Sequence, residues 1–222
     1  MKKDINILNI KSIVKVICIL SLMFIRQELN ATHIVGGNIT YKSVGNNKFT
    51  IHLTVRRDCF NGDPEAFFDS PASVGIFDSK GKLLTNLGGR GQLYMGYKGN
   101  QTIEDPITES FCSVDGVNTV CIHQADYEET IFLPYLEGGY YLEYQRCCRN
   151  LPLQNITNPL EAGASWIVHI SEDGQKLANS SPDFGDWSQL FICAGRDYNF
   201  DHSADDPDGD SLVYKLWTPF LG

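Results

Sequence analysis

Positive charge is scarce in this chain: 18 Lys and Arg stand against 27 Asp and Glu in 222 residues, a formal net charge of -9. Phosphate backbones are held by basic surfaces, so a nucleic-acid partner is excluded. Helical periodicity is missing after residue 31, where no long stretch repeats apolar residues at the helical spacing. A doubly wound α/β fold is excluded with it, because parallel strands need helical crossovers. The uncharged run at residues 16–25 (VICILSLMFI) is short; it would make about 15 Å of helix, half of a roughly 30 Å hydrocarbon core. Turn formers and rings are plentiful by contrast. The chain holds 20 Gly, 9 Pro, 12 Phe, 10 Tyr and 3 Trp, a composition that favours a turn-rich β protein over a helical bundle. Its 42% hydrophobic content is that of a globular chain and excludes wholesale disorder.

Lys2, Lys3, Lys11 and Lys15 precede the apolar run. Basic residues before a short apolar stretch predict a signal peptide over 1–31, with Ala31 at the cleavage position. The alternative is an N-terminal membrane anchor, which the short run disfavours. Export places the mature chain in the medium or on the outer cell surface, with no membrane span after cleavage. Its acidic surface argues against docking on anionic lipid. Cys18 leaves with the leader, and Cys59, Cys112, Cys121, Cys147, Cys148 and Cys193 remain. An even number of cysteines in an exported chain predicts disulfides. Cys112 and Cys121 flank an Asp115-Gly116 turn and are expected to form a local staple. Neighbours on a strand point to opposite faces, so Cys147 and Cys148 are expected to take different partners, Cys59 and Cys193. A vicinal Cys147–Cys148 bond is the alternative.

Strand patterns repeat along the chain. Phe49, Ile51, Leu53 and Val55 alternate with Thr50, His52, Thr54 and Arg56, the clearest half-buried strand. It pairs with 38–44 through the turn residues Asn46-Asn47 in a predicted hairpin. Further strands are predicted at 73–78, 82–87, 92–97, 101–104, 119–124, 127–133, 139–146 and 164–171. Their spacing is that of an antiparallel β-sandwich, Ig-like or jelly-roll-like. The predicted organisation is a sandwich at 32–172, a polar linker at 173–188 and an incomplete Ig- or cadherin-like domain at 189–222. The last carries strand patterns at 190–193, 198–201 and 211–216.

Asp206-Pro207-Asp208-Gly209-Asp210 crowds three carboxylates into one turn. Such crowding is relieved by a hard cation, so Ca²⁺ at Asp206, Asp208 and Asp210 is one expectation, and a solvated acidic turn is the other. Gly stands at the fourth place and Trp217 at the twelfth, so this is not an EF-hand. Ile34-Val35-Gly36-Gly37 matches the new N-terminus of an activated trypsin-like protease, but no Gly-x-Ser-x-Gly or Gly-Asp-Ser-Gly-Gly accompanies it. Cys121-x-His123 with Cys112 suggests zinc, which oxidised sulfurs do not bind. Glu128-Glu129 with Glu143 are candidate acids for glycoside hydrolysis, which needs two carboxyls across a cleft. Tyr94, Tyr97, Tyr140, Tyr141 and Trp187 are candidate stacking surfaces for sugar rings or, more simply, core residues.

Five blocks, in this order, carry a resemblance to a known group of proteins. They are Ala31-Thr32-His33-Ile34-Val35-Gly36-Gly37, VRRDCFNG at 55–62, YQRCCRN at 144–150, NSSP at 179–182 and HSADDPDGDSLVY at 202–214. Over nearly all of 31–222 the chain resembles the N-terminal region of large secreted Bacteroidota proteins. These are gliding-motility-associated, PKD- or Ig-repeat-containing surface proteins exported by the type IX secretion system. The resemblance implies a non-enzymatic module at the head of an adhesin-like protein, with an extracellular glycan or surface protein as partner. It places Asp-rich turns such as 206–210 at the first crossing of an Ig- or cadherin-like domain. A carbohydrate-binding module of a secreted polysaccharide-acting protein is the alternative.

Overall fold

A computed structural model of the chain describes residues 34–60, 62, 66–103, 121–150, 152–185, 195, 197, 199–218 and 220. The leader expected at 1–31, Cys112, Trp187 and the strand expected at 190–193 with Cys193 lie outside the described residues. Eight strands form two antiparallel sheets. The first sheet runs β1 (Ile34–Gly45), β2 (Lys48–Asp58), β6 (Ile122–Phe132), β5 (Tyr97–Ile103). The second runs β4 (Gln92–Met95), β3 (Ala72–Asp78), β7 (Tyr140–Arg146), β8 (Ala164–Ile170). The two make a β-sandwich. Asn46 and Asn47, at φ 53° and 57°, make the β1–β2 turn; Asn tolerates this left-handed region, and such turns match strand twist.

The inward half of each alternation builds the core. Phe49, Ile51, Leu53 and Val55 of β2 are buried with Val74 and Ile76 of β3 and Tyr140, Leu142 and Tyr144 of β7. The loop before β3 adds a polar tie between the sheets. Asp69 accepts the Tyr144 hydroxyl on Oδ2 at 2.6 Å and the Tyr127 hydroxyl on its carbonyl at 2.8 Å. Arg146 Nη1 lies 3.0 Å from Asp69 Oδ1. Burial pushes both phenols well above their ordinary range, and the Asp69 charge adds to the shift.

Several expectations are corrected. The strands expected at 119–124 and 127–133 are joined, since β6 runs unbroken over Ile122–Phe132; residues 119–120 lie outside the described residues. Ala125 is buried and Asp126 accepts the Thr54 hydroxyl at 2.8 Å, so the β2–β6 ladder crosses the supposed break. The run 82–87 is not a strand. Asp78 Oδ1 accepts the N–H groups of Lys80 and Lys82, each at 2.9 Å, and the expected hairpin is reduced to one antiparallel bridge, Phe77 with Leu83, while β3 forms its ladder with β4. The expected linker opens with a short helix, α1 (Glu172–Leu177), capped by Ser171 and carrying Glu172 and Asp173 in its first turn. Buried Gln175 exchanges hydrogen bonds with the backbone of Leu136 at 2.9 and 3.0 Å, so this segment packs on the sandwich. Neither 199–201 nor 211–216 forms a strand.

The cysteine pairing differs as well. Cys59 is bonded to Cys121. The two follow the Asp58–Ile122 rung of β2 and β6, and Cys59 N–H donates to the Cys121 carbonyl at 2.9 Å. Cross-strand adjacency therefore overrides the local staple expected between Cys112 and Cys121. Cys147 is bonded to Cys148 across a cis peptide, which is the vicinal alternative and not the pairing with Cys59 and Cys193. β7 ends at Arg146, so the pair lies beyond the strand and the opposite-faces argument does not reach it.

Candidate functional site

The outward half of the β2 alternation faces a trough of about 830 Å³. Its floor follows from strand register. On one rung Thr40, His52 and Glu128 stand side by side on β1, β2 and β6. On the next are Asn38, Thr54 and Asp126. On the third, Arg56 and Gln124 continue to Gln101 on β5. Strand side chains alternate between faces, so each rung is polar outside because its sequence neighbours are apolar inside. Asp183 and Gly185, from the segment beside β1, complete the lining with Lys98.

These side chains hold one another. Arg56 Nε donates to Gln124 Oε1 at 2.8 Å, and Gln124 Nε2 lies 3.2 Å from both Asp126 oxygens. Thr54 Oγ1 donates to Asp126 Oδ1 at 2.8 Å. His52 Nδ1 lies 3.2 Å from Glu128 Oε2. Gln124 is only 8% exposed, so its amide is fixed at the base of the trough with the carbonyl toward Arg56. Cross-strand polar pairs of this kind stabilise sheets modestly. Their larger consequence is a set of donors and acceptors already oriented before any ligand arrives.

The acidic turn lies elsewhere. Asp206 Oδ1 accepts the N–H groups of Asp208 and Asp210, each at 3.0 Å. Asp208 Oδ2 accepts Ser180 N–H at 2.6 Å, and Asp210 Oδ2 accepts Asn179 Nδ2 at 2.8 Å. The next residue, Ser181, caps the edge of β1: its Oγ accepts Tyr41 N–H at 2.8 Å and its N–H donates to the Tyr41 carbonyl at 2.9 Å. The two motifs NSSP and DPDGD thus interlock and fasten the post-helix segment to the sandwich. Burial raises the Tyr41 phenol, and the charges of Asp208 and Asp206 add to it. Calcium at Asp206, Asp208 and Asp210 would have to draw the carboxylates from these donors.

Among the described residues, the ligand atoms of Cys59, Cys121 and His123 lie within 4.8 Å of one another, but the two sulfurs are joined. Desolvation, followed by the Arg57 charge, lowers the His123 pKa. Glu128 and Glu129 are on β6, whereas Glu143 is on β7 in the other sheet. Of the described aromatic residues considered for sugar stacking, Tyr94 and Tyr141 lie on the outer face of the second sheet, two strands apart, while Tyr97 and Tyr140 do not reach it. Tyr140 is buried, Tyr97 packs on Phe68 and Tyr127, Tyr141 stacks on His169 at 4.2 Å, and Tyr94 is exposed on the edge strand β4. The sequence pattern marked His52, Thr54 and Arg56 as outward; it missed their partners on β6, because register is not written in either strand alone.

The chain matches no protein-family model, no curated protein and no solved structure.

Proposed function

We propose that this chain is a non-enzymatic, exported recognition module that stands at the head of an adhesin-like surface protein and binds through the outer face of its first sheet. The observation that carries the reading is the trough floor: three rungs of polar side chains, mutually hydrogen-bonded across β2 and β6, on a strand pair closed at one end by Cys59–Cys121. A rigid scaffold with preset polar groups suits recognition, because little order is lost on binding. The disulfides suit an oxidising exterior. The sequence resemblance to gliding-motility-associated proteins supplies the adhesin setting and type IX export. Calcium belongs to this reading at Asp206, Asp208 and Asp210 alone; equal melting midpoints in Ca²⁺ and in EDTA remove it.

The test is to fractionate producing cells and map the chain under non-reducing conditions. The expected result is protein in the medium or on the outer surface, with the Cys59 and Cys121 peptides linked. Recovery in the cytosol with both thiols free overturns the proposal. The second reading, a carbohydrate-binding module of a polysaccharide-acting protein, is favoured by the same trough and differs in the activity it serves. Polysaccharide hydrolysis by the protein that carries the module would select it.

A further inference from the structure

We infer that the trough binds an uncharged oligosaccharide or polysaccharide chain, held by hydroxyl contacts to Asn38, His52, Thr54, Gln124, Asp126 and Glu128. The inference rests on the recognition-module reading above and names its ligand class. Three observations select this class over others.

The first is charge. The lining carries Arg56 and Lys98 against Asp126, Glu128 and Asp183. The signs are interleaved: His52 faces Glu128, and Arg56 reaches Asp126 through the Gln124 amide. A polyanion would meet carboxylates at two of the three rungs, Glu128 and Asp126, and a polycation would meet guanidinium and ammonium groups. A ligand without charge meets neither penalty.

The second is the mixture of donors and acceptors. Amides, hydroxyls, an imidazole and carboxylates alternate within three rungs. A sugar hydroxyl donates and accepts through the same oxygen, so a polyhydroxylated chain can satisfy such a mixture wherever it lies. An anion requires donors only, and an ammonium group requires acceptors only. The volume, about 830 Å³, is within the usual range of small-ligand sites, but the polar floor departs from their apolar norm. That departure also points to a ligand covered in hydroxyl groups.

The third concerns the main competitor, an extended peptide. A peptide commonly binds a sheet by adding a strand to an open edge. Here the β1 edge is capped at Tyr41, whose N–H and carbonyl are both bonded to Ser181, and the trough lies on the face of the sheet, not along that edge. The trough therefore presents side chains, where a strand needs open backbone.

The experiment applies the whole exported chain to an array of neutral oligosaccharides of the gluco-, manno-, xylo- and galacto-series, with sulfated and uronic-acid series alongside. Hits are followed by titration calorimetry for the wild type, Asp126→Asn and Gln124→Ala, with thermal melting as the check on folding. The expected result is retention of neutral glycans, little dependence on salt, and about tenfold or weaker affinity in both variants, the loss of a hydrogen bond to a charged or fixed polar group. The unaltered face carrying Tyr94 supplies the control: Tyr94→Ala leaves affinity unchanged. Retention of only sulfated or uronic-acid glycans with a steep salt dependence overturns the inference. So does neutral-glycan binding that Asp126→Asn leaves intact while the protein melts normally. An empty array overturns the inference alone if wild-type protein still binds whole cells and Asp126→Asn does not, since the recognition reading then stands. Glycan cleavage at this trough would instead sink the non-enzymatic reading and keep the ligand class.

Discussion

Ile51, Leu53 and Val55 of β2 have no exposed surface, while Val213, in a similarly apolar run near the C-terminus, is 93% exposed and Leu216 is fully so. Both stretches alternate or nearly alternate. The difference is what stands opposite. β2 has β1 and β6 at its sides and the second sheet across the core. Among the described residues, 211–217 has neither a ladder partner nor an opposing layer. Residues 199–210 are held by single contacts instead: the Asp183–Asp205 bridge, the Asp206 turn, and Phe184 stacked on His202 at 5.0 Å. Apolar pattern is thus a condition for burial and not its cause; the buried area comes from a second layer.

The sharpest way to break this comparison is a matched pair of truncations. Leu53→Ala is expected to lower stability by about 2–5 kcal/mol in urea unfolding, through lost transfer energy and a cavity. Leu216→Ala should stay within about 0.5 kcal/mol, as exposed sites do. Equal losses would mean that 211–217 has a hidden partner in solution.

The disulfides sharpen the same contrast within the sandwich. Cys59 and Cys121 are 62 residues apart, so replacing both with Ser should cost about 4 kcal/mol by the loop-entropy argument. Cys147 and Cys148 are adjacent and enclose no loop. Their double Ser replacement should cost less than about 1 kcal/mol on the same argument. Reversal of that order would show that the vicinal pair secures packing that sequence separation does not measure.

A third test uses alkali. The folded pKa values of Tyr127 and Tyr144 lie above the unfolded value of 10.0. Their contribution is therefore full below about pH 10 and is lost as pH rises beyond it, when the unfolded chain releases protons that the folded one retains. The melting midpoint should hold up to that point and then fall. Tyr144→Phe should cost about 1–3 kcal/mol at neutral pH, from the lost hydrogen bond to the Asp69 carboxylate, and should soften the alkaline fall. An unchanged alkaline limb would show that this hydroxyl is hydrated in solution.

The smallest effect belongs to the seam between the regions. Asp208→Ala removes one of the two acceptors of Ser180 N–H, the other being Asn179 Oδ1, and should cost about 1 kcal/mol or less in global melting. Its signature is local: limited proteolysis after α1 should accelerate several-fold while the sandwich survives, as expected of a region that opens without global unfolding. Unaltered cleavage would place the hold on that segment with Ser181 and β1 alone.

Much of the sandwich was readable because burial imposes a two-residue period, and β2 and β7 obey it cleanly. In the sequence Ala125-Asp126 fall between two expected strands; burial of Ala125 and the Thr54 hydroxyl on Asp126 across the ladder show why the strand continues. Ser171-Glu172-Asp173 could have announced α1 as a capped helix start, but six residues carry too little periodicity to be noticed.

The residues alone determined the class of this protein, the inward apolar rows and the turns at Asn46-Asn47, since those depend on local conformation and alternation. Tertiary structure decided the rest. It chose Cys59 for Cys121, set Thr40, His52 and Glu128 on one rung, and put NSSP against DPDGD. Each of these is a meeting of distant segments, and the free energy that selects among such meetings is that of the whole packed sandwich, which no local stretch encodes.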